Sequence, residues 1–403
     1  MSAWLTIVGV GDDGPDGLAP GPRALIDAAD IVVGSQRLLD REDLGDTETH
    51  KWASPFDDML IQIKEWKGKN VVILATGNPM HFGVGATLAG HIPPEEMTII
   101  PAPSAFSLAA ARLGWPMQDV EMVSLHGRPV SLLHPFVQPK AKLLALMGNG
   151  ETVHTVAKLL QRRGFGNSKL AVLEHMGGPD ERIVRLTADE CSSQDFAIFN
   201  TLGIECVAGA EAKILPRLPG LPDEAFTHDG QLTKREVRAM TLAALGPAPQ
   251  ALLWDVGAGC GSVAIEWMRA ANGAQAIAFE QNEARIKMIA ENAVALGAPG
   301  LDVVTGDACK TLEGHGAPDA VFLGGAVTKK KVFETCWTAL NRGGRLVANA
   351  VTLEGEAALI ARHESHGGEL VRIDISHVAN IGSRRALRPR MAVTQWRVTK
   401  DGS

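Results

Sequence analysis

Two glycine-rich stretches hold the residues of this 403-residue chain whose types and spacing point most directly to chemistry. The sharper one is LLWDVGAGCGSVAIEW. An apolar run reaches Asp255 and Val256 and is followed by Gly257, Ala258, Gly259, Cys260 and Gly261, then by an apolar-periodic segment. A glycine-built turn from strand to helix lets a ligand approach the backbone, and the start of the helix presents N–H groups without intrahelical acceptors. Glu280 follows at the end of the next predicted strand, where a carboxylate can accept hydrogen bonds from two ribose hydroxyls. The second stretch, TIVGVGDDGPDGL, carries Gly9, Gly11 and Gly14 in formal dinucleotide spacing. No acidic residue ends its next strand, IVVGS, and Asp30 lies before that strand, so the ribose partner of a dinucleotide is missing.

Other residues admit two readings each. His126 in SLHGRP stands between a predicted strand and a Pro-containing turn, as a proton carrier or as a loop histidine bonded to backbone. Arg384, Arg385, Arg388 and Arg390 crowd the predicted loop between the last two strands, as a solvated loop or as a dock for anionic groups. Of Lys329, Lys330 and Lys331, at most two can reach a common site, because three consecutive residues do not share a helix face. Trp254 and Trp267 lie in apolar-periodic surroundings and read as core. His363 and His366 lack a third ligand nearby, so no metal is expected there.

These residues need elements to hold them. Short β-rich runs alternate with helix-like stretches from Trp4 to about Gly209, which makes this part α/β. The runs are 5–10, 31–34, 71–76, 97–101, 122–125, 142–147, 170–173 and 197–202. The segment from Ala212 to His228, with prolines at 216, 219 and 222, can sustain neither helix nor central strand and reads as an exposed linker. A helix from Thr233 to Leu245 then precedes strand-like runs at 252–256, 276–280, 302–305, 320–323, 345–350, 370–377 and 391–398. The last two are joined too closely for a crossover helix, so the seven-stranded parallel sheet is closed by an antiparallel strand. The expected organisation is a first domain over 1–209, a linker over 210–228 and a second domain over 229–403.

Composition limits the function classes. With 45% apolar residues, 21% charged residues and 43 glycines, the chain reads as an ordinary globular α/β protein. A net charge of -7 and the lack of a long basic run argue against a nucleic-acid partner. No apolar run approaches membrane-spanning length and no signal peptide is evident. Cys191, Cys206, Cys260, Cys309 and Cys336 show neither C-x-x-C nor metal-ligand spacing, so a reducing cytoplasm is expected.

Two details of the second domain separate a methyl donor from a dinucleotide. The loop is G-x-G-x-G, and Gly306, Asp307 and Ala308 close the third strand where an adenine would lie. Together they resemble class I methyltransferases. An NAD site, or glycines that serve turns alone, are the alternatives. Read with LTKREVRAMTLAAL and DAVFLGGA, the domain is similar to the decarboxylating half of the precorrin-6Y methyltransferase family. That resemblance implies an S-adenosylmethionine site lined by Thr233, Gly257 to Gly261, Glu280, Asp307 and Ala308, with Gly324 and Gly325 leaving room for substrate. The N-terminal series VGVG, ADIVVGSQRLL, ATGNPMHFGVG, PAPSAFSLAAARLGW and VSLHGR resembles the tetrapyrrole methylase family, nearest its precorrin-6Y branch. In that family S-adenosylmethionine lies folded between two α/β halves, so Gly9, Gly11, Gly77, Asn78, Pro79, Ser104 and Met147 are the implied cleft residues. Asn78 departs from the more frequent Asp and lacks its charge.

The resemblance implies two S-adenosylmethionine sites, one per domain, and methylation of a corrin precursor at carbons 5 and 15 with loss of the ring C acetate as carbon dioxide. It also implies a homo-oligomer, since tetrapyrrole methylases are commonly dimeric. The arginines would then meet the precursor's carboxylates. A cobalt-containing precorrin as substrate, or a nucleotide-binding module without chemistry, are the rival readings.

Overall fold

The computed structural model describes residues 3–41 and 44–401. Contacts divide the chain into two compact units, Met1–Val130 with Gln138–Lys213, and Ser131–Val137 with Ile214–Ser403. None of the described helices is long and apolar enough to cross a membrane.

In the first unit, β1 (Leu5–Val10), β2 (Ile31–Gly34), β3 (Glu48–Lys51), β4 (Val71–Thr76) and β5 (Met97–Ile100) form a parallel sheet in the order β3-β2-β4-β1-β5. Its inner strands β4 and β1 are apolar on both faces because helices cover both. Leu5 and Ile7 pack with Ile63 and Ile73, whereas Val8 and Val10 pack with Ile26 and Leu74. The second lobe of this unit has the order β6-β7-β10-β8-β9, from β6 (Glu121–Ser124), β7 (Lys142–Leu146), β8 (Lys169–Glu174), β9 (Arg182–Thr187) and β10 (Asn200–Glu205). Only its β6–β7 pair is parallel.

Three features depart from the sequence reading. The edge strands β3 and β9 carry little apolar alternation and escaped notice. The strand expected at 197–202 runs Asn200–Glu205, because the preceding segment turns so that Ala197 N donates to Glu174 Oε1 at 2.7 Å.

The second unit is built on β11 (Leu252–Val256), β12 (Gln275–Glu280), β13 (Asp302–Thr305), β14 (Ala320–Leu323), β15 (Arg345–Ala350), β16 (Glu369–Ile373) and a late strand after a hairpin. The hairpin comprises β17 (Ser376–Ile381) and β18 (Arg384–Pro389), and the late strand is β19 (Val393–Thr399). The sheet order is β13-β12-β11-β14-β15-β19-β16, with β19 antiparallel to both neighbours. The expected antiparallel closure is present. The run expected at 370–377 breaks after Ile373, however, and the arginine-rich segment is strand β18 and not a loop. Trp254 and Trp267 are buried as expected, the latter donating from Nε1 to Gln275 O at 3.0 Å.

The proline-rich segment before Arg235 is no exposed linker. Leu221 and Phe226 are buried, and three charged residues supply the hydrogen bonds that the irregular backbone cannot make with itself. Glu266 Oε2 accepts from Gly220 N at 2.5 Å and Oε1 from Leu221 N at 3.1 Å. Arg269 Nη2 donates to Leu215 O and Pro216 O. Arg238, fully buried on helix Arg235–Leu245, donates from Nε to Glu266 Oε1 at 2.6 Å and from Nη1 to Asp223 and to Thr233 O, while Nη2 donates to Leu221 O. Removing one partner leaves the other charge buried without its counter-ion, which costs far more than the pair itself is worth. Arg238→Met is therefore expected to lower the unfolding free energy of the second unit by about 3–5 kcal/mol. Adding Glu266→Gln should recover part of that loss, as read by denaturant titration of tryptophan fluorescence.

Candidate active sites

In the second unit, the loops leaving β11, β12, β13, β14 and β15 frame a cavity of about 910 Å³ at the C-terminal ends of the parallel strands, where open α/β sheets receive ligands. Gly257, with φ +76°, passes so close to the loop after β14 that a Cβ there would lie 2.9 Å from Gly325 N. Thr233, Gly257, Ala258, Gly259, Glu280, Asp307 and Ala308 line the cavity, together with Gly324, Gly325 and Arg390.

Glu280 is 5% exposed and anchors the loop. Its Oε2 accepts from Gly259 N at 2.9 Å, and its Oε1 from Gln281 N and Asn282 N, both at 2.9 Å. A carboxylate has about four lone-pair sites, so three are already committed to backbone N–H groups. Glu280 thus shapes the loop as much as it can receive a ligand. Asp307 caps helix Ala308–Thr311 and pairs with Lys329 Nζ at 3.0 Å, which holds its carboxyl below the usual range, first through the lysine and then through Cys309 N. Of the three lysines, Lys329 lines the cavity, whereas Lys330 points to Glu334.

Cys260 and Gly261 are not on the wall. Cys260 is buried among Leu221, Phe226 and Ile265, and burial pushes its thiol up. Gly261 (φ +80°) starts helix Ser262–Ala270 where a Cβ would press on Ile289 at 3.1 Å. Arg384, Arg385 and Arg388 lie on the exposed strand β18, and only Arg390 reaches the cavity.

Asn349, at the end of β15, escaped the sequence reading. Its Nδ2 donates to Thr241 Oγ1 at 2.9 Å, and its Oδ1 accepts from Gln395 Nε2 at 3.0 Å. Gln395 Nε2 also reaches Thr241 Oγ1, and both Thr241 and Gln395 are buried. A lone Asn closing the apolar strand RLVANA, at the ligand-facing end of a parallel strand, was the available signal.

The first unit has its own cleft of about 450 Å³, lined by Gly11, Gly77, Asn78, Ser104, His126 and Met147 together with Asp12, His81, His175 and Asn200. Gly9 and Pro79 are not on its wall. Gly9 lets β1 pass under two loops: a Cβ there would lie 2.2 Å from Gly77 O and 2.5 Å from Ala102 N. Pro79 packs behind, against Gly83 and Gly85. Ser104 caps helix Ala105–Leu113 by accepting from Ser107 N. His126 Nδ1 lies 3.4 Å from Met147 O, and burial pushes the His81 imidazole down. The buried Asn200 Oδ1 has no hydrogen-bond partner among the described residues, leaving an acceptor on the cleft wall.

Two α/β units each carry a glycine-floored cavity at the C-terminal ends of parallel strands, and the families that each unit matches make the chain a tandem methyltransferase. Residues 4–192 match the tetrapyrrole (corrin/porphyrin) methylases, and residues 224–400 match a precorrin methyltransferase domain. A precorrin-6Y C(5,15)-methyltransferase [decarboxylating] of Sinorhizobium sp. is 45% identical over 401 residues, which cover 99% of this chain and 97% of that one. A protein of the same name from Mycobacterium tuberculosis is 38% identical over 98% of this chain and 100% of its own length. Among solved structures, the C-terminal domain of precorrin-6Y C5,15-methyltransferase from Rhodobacter capsulatus is 42% identical, covering 46% of this chain and 100% of that domain, with a TM-score of 0.44. The chain belongs to the decarboxylating precorrin-6Y C(5,15)-methyltransferase family.

Asp255 makes the second site sensitive to pH. It is fully buried beneath the loop, its Oδ2 accepts from Ala264 N at 3.0 Å, and its Oδ1 has no partner among the described residues. Burial pushes its carboxyl up to about 7, against the Ala264 hydrogen bond and with help from Glu280. A raised folded-state value means that the folded state binds more protons than the unfolded state between the ordinary value and about 7. Stability should therefore fall as pH rises through that window and level off above it. Denaturant midpoints at a series of pH values should show this decline, and Asp255→Asn should flatten it.

Proposed function

We propose that each unit binds one S-adenosylmethionine and that both act on a single corrin precursor, precorrin-6B. In this reading the second domain (229–403) methylates carbon 15 and removes the ring C acetate as carbon dioxide, and the first domain (1–209) methylates carbon 5, giving precorrin-8. The observation that carries it is the presence of two separate cavities, each built where glycines let a ligand meet backbone. The whole-length relatives are named for precorrin without cobalt, which favours the metal-free substrate.

S-adenosylmethionine supplies a methyl group activated on a sulfonium. The protein needs no nucleophile for such an in-line displacement; it aligns the reacting atoms and excludes water. In the second unit the backbone of Gly257 to Gly259, with Glu280, Asp307, Ala308 and Thr233, would hold the donor. Gly324 and Gly325 would leave room for the flat macrocycle. The apolar side chains of Val237, Phe322, Ile373 and Val393 keep a departing carboxylate poorly solvated, which favours its loss as carbon dioxide. Asn349 would offer its remaining N–H to the substrate without adding a charge that would hold the carboxylate in place.

Isothermal titration should find two donor sites per chain. Glu280→Ala should weaken one of them by about ten- to a hundredfold, the equivalent of about 1–3 kcal/mol, and leave the other unchanged. A single site in the intact protein would overturn the proposal. Arg390→Ala should raise the KM for substrate by about threefold, as for a partly solvated ion pair, and leave donor affinity alone. Arg384→Ala, on the exposed strand β18, should change the KM less than Arg390→Ala does.

A further inference from the structure

The first-unit cleft contains a second histidine, and its setting differs from that of His126. His175 follows β8 directly, lines the cleft, and adopts φ +48°, a left-handed conformation that a residue with a Cβ rarely takes. Its Nδ1 lies 3.3 Å from Asp12 Oδ2, and its ring packs tilted against Phe199 at 5.8 Å. Asp12 is itself 5% exposed and fixed from several sides. Arg41 Nη1 donates to Asp12 O at 2.6 Å and to Oδ1 at 2.7 Å, and Arg37 Nη1 also donates to Oδ1. Arg37 is held in turn by Thr76 Oγ1 and by the Phe199 ring, 4.5 Å below its guanidinium. The turn after His175 closes over the same carboxylate: a Cβ on Gly178 would lie 2.6 Å from Asp12 Oδ2. Strained backbone, a buried acceptor and two guanidiniums thus converge on the orientation of one imidazole.

The carboxylate fixes the tautomer. Asp12 Oδ2 can only accept, so Nδ1 of a neutral His175 must carry the proton and Nε2 the lone pair. Nε2 has no hydrogen-bond partner among the described residues. His126 has no such carboxylate; its Nδ1 faces the carbonyl of Met147.

We propose that His175, positioned by Asp12, is the proton acceptor for the methylation carried out in this cleft. This rests on the assignment of one methyl transfer to the first domain. In that transfer a macrocycle carbon forms a bond to the methyl group, and the electron pair of the sulfur–methyl bond returns to sulfur, leaving neutral S-adenosylhomocysteine. The macrocycle then carries the positive charge and one proton too many. His175 Nε2 takes that proton and becomes an imidazolium, whose Nδ1–H still points at Asp12. Charged or titratable neighbours are Asp12 on the loop after β1, Arg37 on the short helix Gln36–Leu39, Arg41 just beyond it, Glu174 paired with Arg182 on β8 and β9, and His81, His126 and Arg128 on the cleft wall.

The test uses the intact chain with precorrin-6B and labelled methyl donor, followed by mass spectrometry of products and of released carbon dioxide. His175→Gln keeps a donor for Asp12 but cannot take up a proton at the pH of the reaction. It should slow one of the two methylations by about a hundredfold or more, the range of general base catalysis. The other methylation, carbon dioxide release and the number of donor sites should be unchanged. The slowed step should lose the acid-side fall in rate that protonation of the imidazole produces in the wild type. Asp12→Asn should slow the same step by raising kcat-limiting misorientation, with little change in KM. Both methylations at wild-type rate in His175→Gln, or an unchanged acid-side limb, would overturn the proposal. Met147→Trp, which fills the cleft, separates this failure from a wrong domain assignment. If Met147→Trp stops one methylation and His175→Gln does not, only the proton-accepting role is wrong. If Met147→Trp leaves both methylations intact, the cleft performs neither and the underlying assignment fails as well.

Discussion

Both cavities depend on a steric constraint: loops leaving adjacent parallel strands have to cross within van der Waals contact of each other's backbone. A Cβ on Gly9 would lie 2.2 Å from Gly77 O, and one on Gly257 would lie 2.9 Å from Gly325 N. Real Cβ atoms do not approach backbone that closely, so only glycine lets the strands end side by side with their loops folded over one another. The consequence is a shallow floor of main-chain groups in which peptide N–H and C=O are within a ligand's reach. Side chains then rise around the floor from the strand ends: Asp12, Asn78 and His175 in one unit, Glu280, Asp307 and Asn349 in the other.

Buried polar side chains keep those loops in place. Glu280 receives three backbone N–H groups, and Asp12 receives two arginines and a histidine. Glu266 and Arg238 do the same for the proline-rich segment that leads into the helix beside the second cavity. In each case an irregular stretch of backbone has no ladder of its own, and a carboxylate or guanidinium replaces the missing partners. Asp255 is the exception: one of its oxygens is left without a partner, and burial pushes its carboxyl up to about 7.

The alternation of strands and helices, the closing antiparallel strand and the glycine loops were legible because each leaves a local mark: apolar periodicity, connection length and residue type. What stayed hidden depends on partners distant in sequence. Asn349 leaves a weak local mark at the end of its strand, but what fixes its side chain is Thr241 and Gln395, 108 and 46 residues away. His175 needs Asp12, 163 residues earlier. Leu221 reads as part of an exposed linker until Glu266 and Arg238 are seen to meet its backbone. Cys260, Gly261, Gly9 and Pro79 belong to the right motifs but face the wrong way, because a motif names a loop and not the side of it that meets the ligand. The arginines of β18 were placed on a loop because a short polar run full of arginine has no apolar alternation, yet it pairs with β17 as an exposed hairpin.

The insertion of β19 between β15 and β16 sets an order of events during synthesis. The first unit has both of its sheets once Lys213 has emerged, and at about 5–20 residues per second it has roughly ten seconds or more to settle before β19 appears. The second unit has no such interval. β16 finds its place only through β19, which also brings Gln395 to fix Asn349. Until then the strand ends around the second cavity lack a wall, and β15 offers an unpaired edge to other nascent chains. A strand late in the chain is thus both the closure of the sheet and the completion of the site.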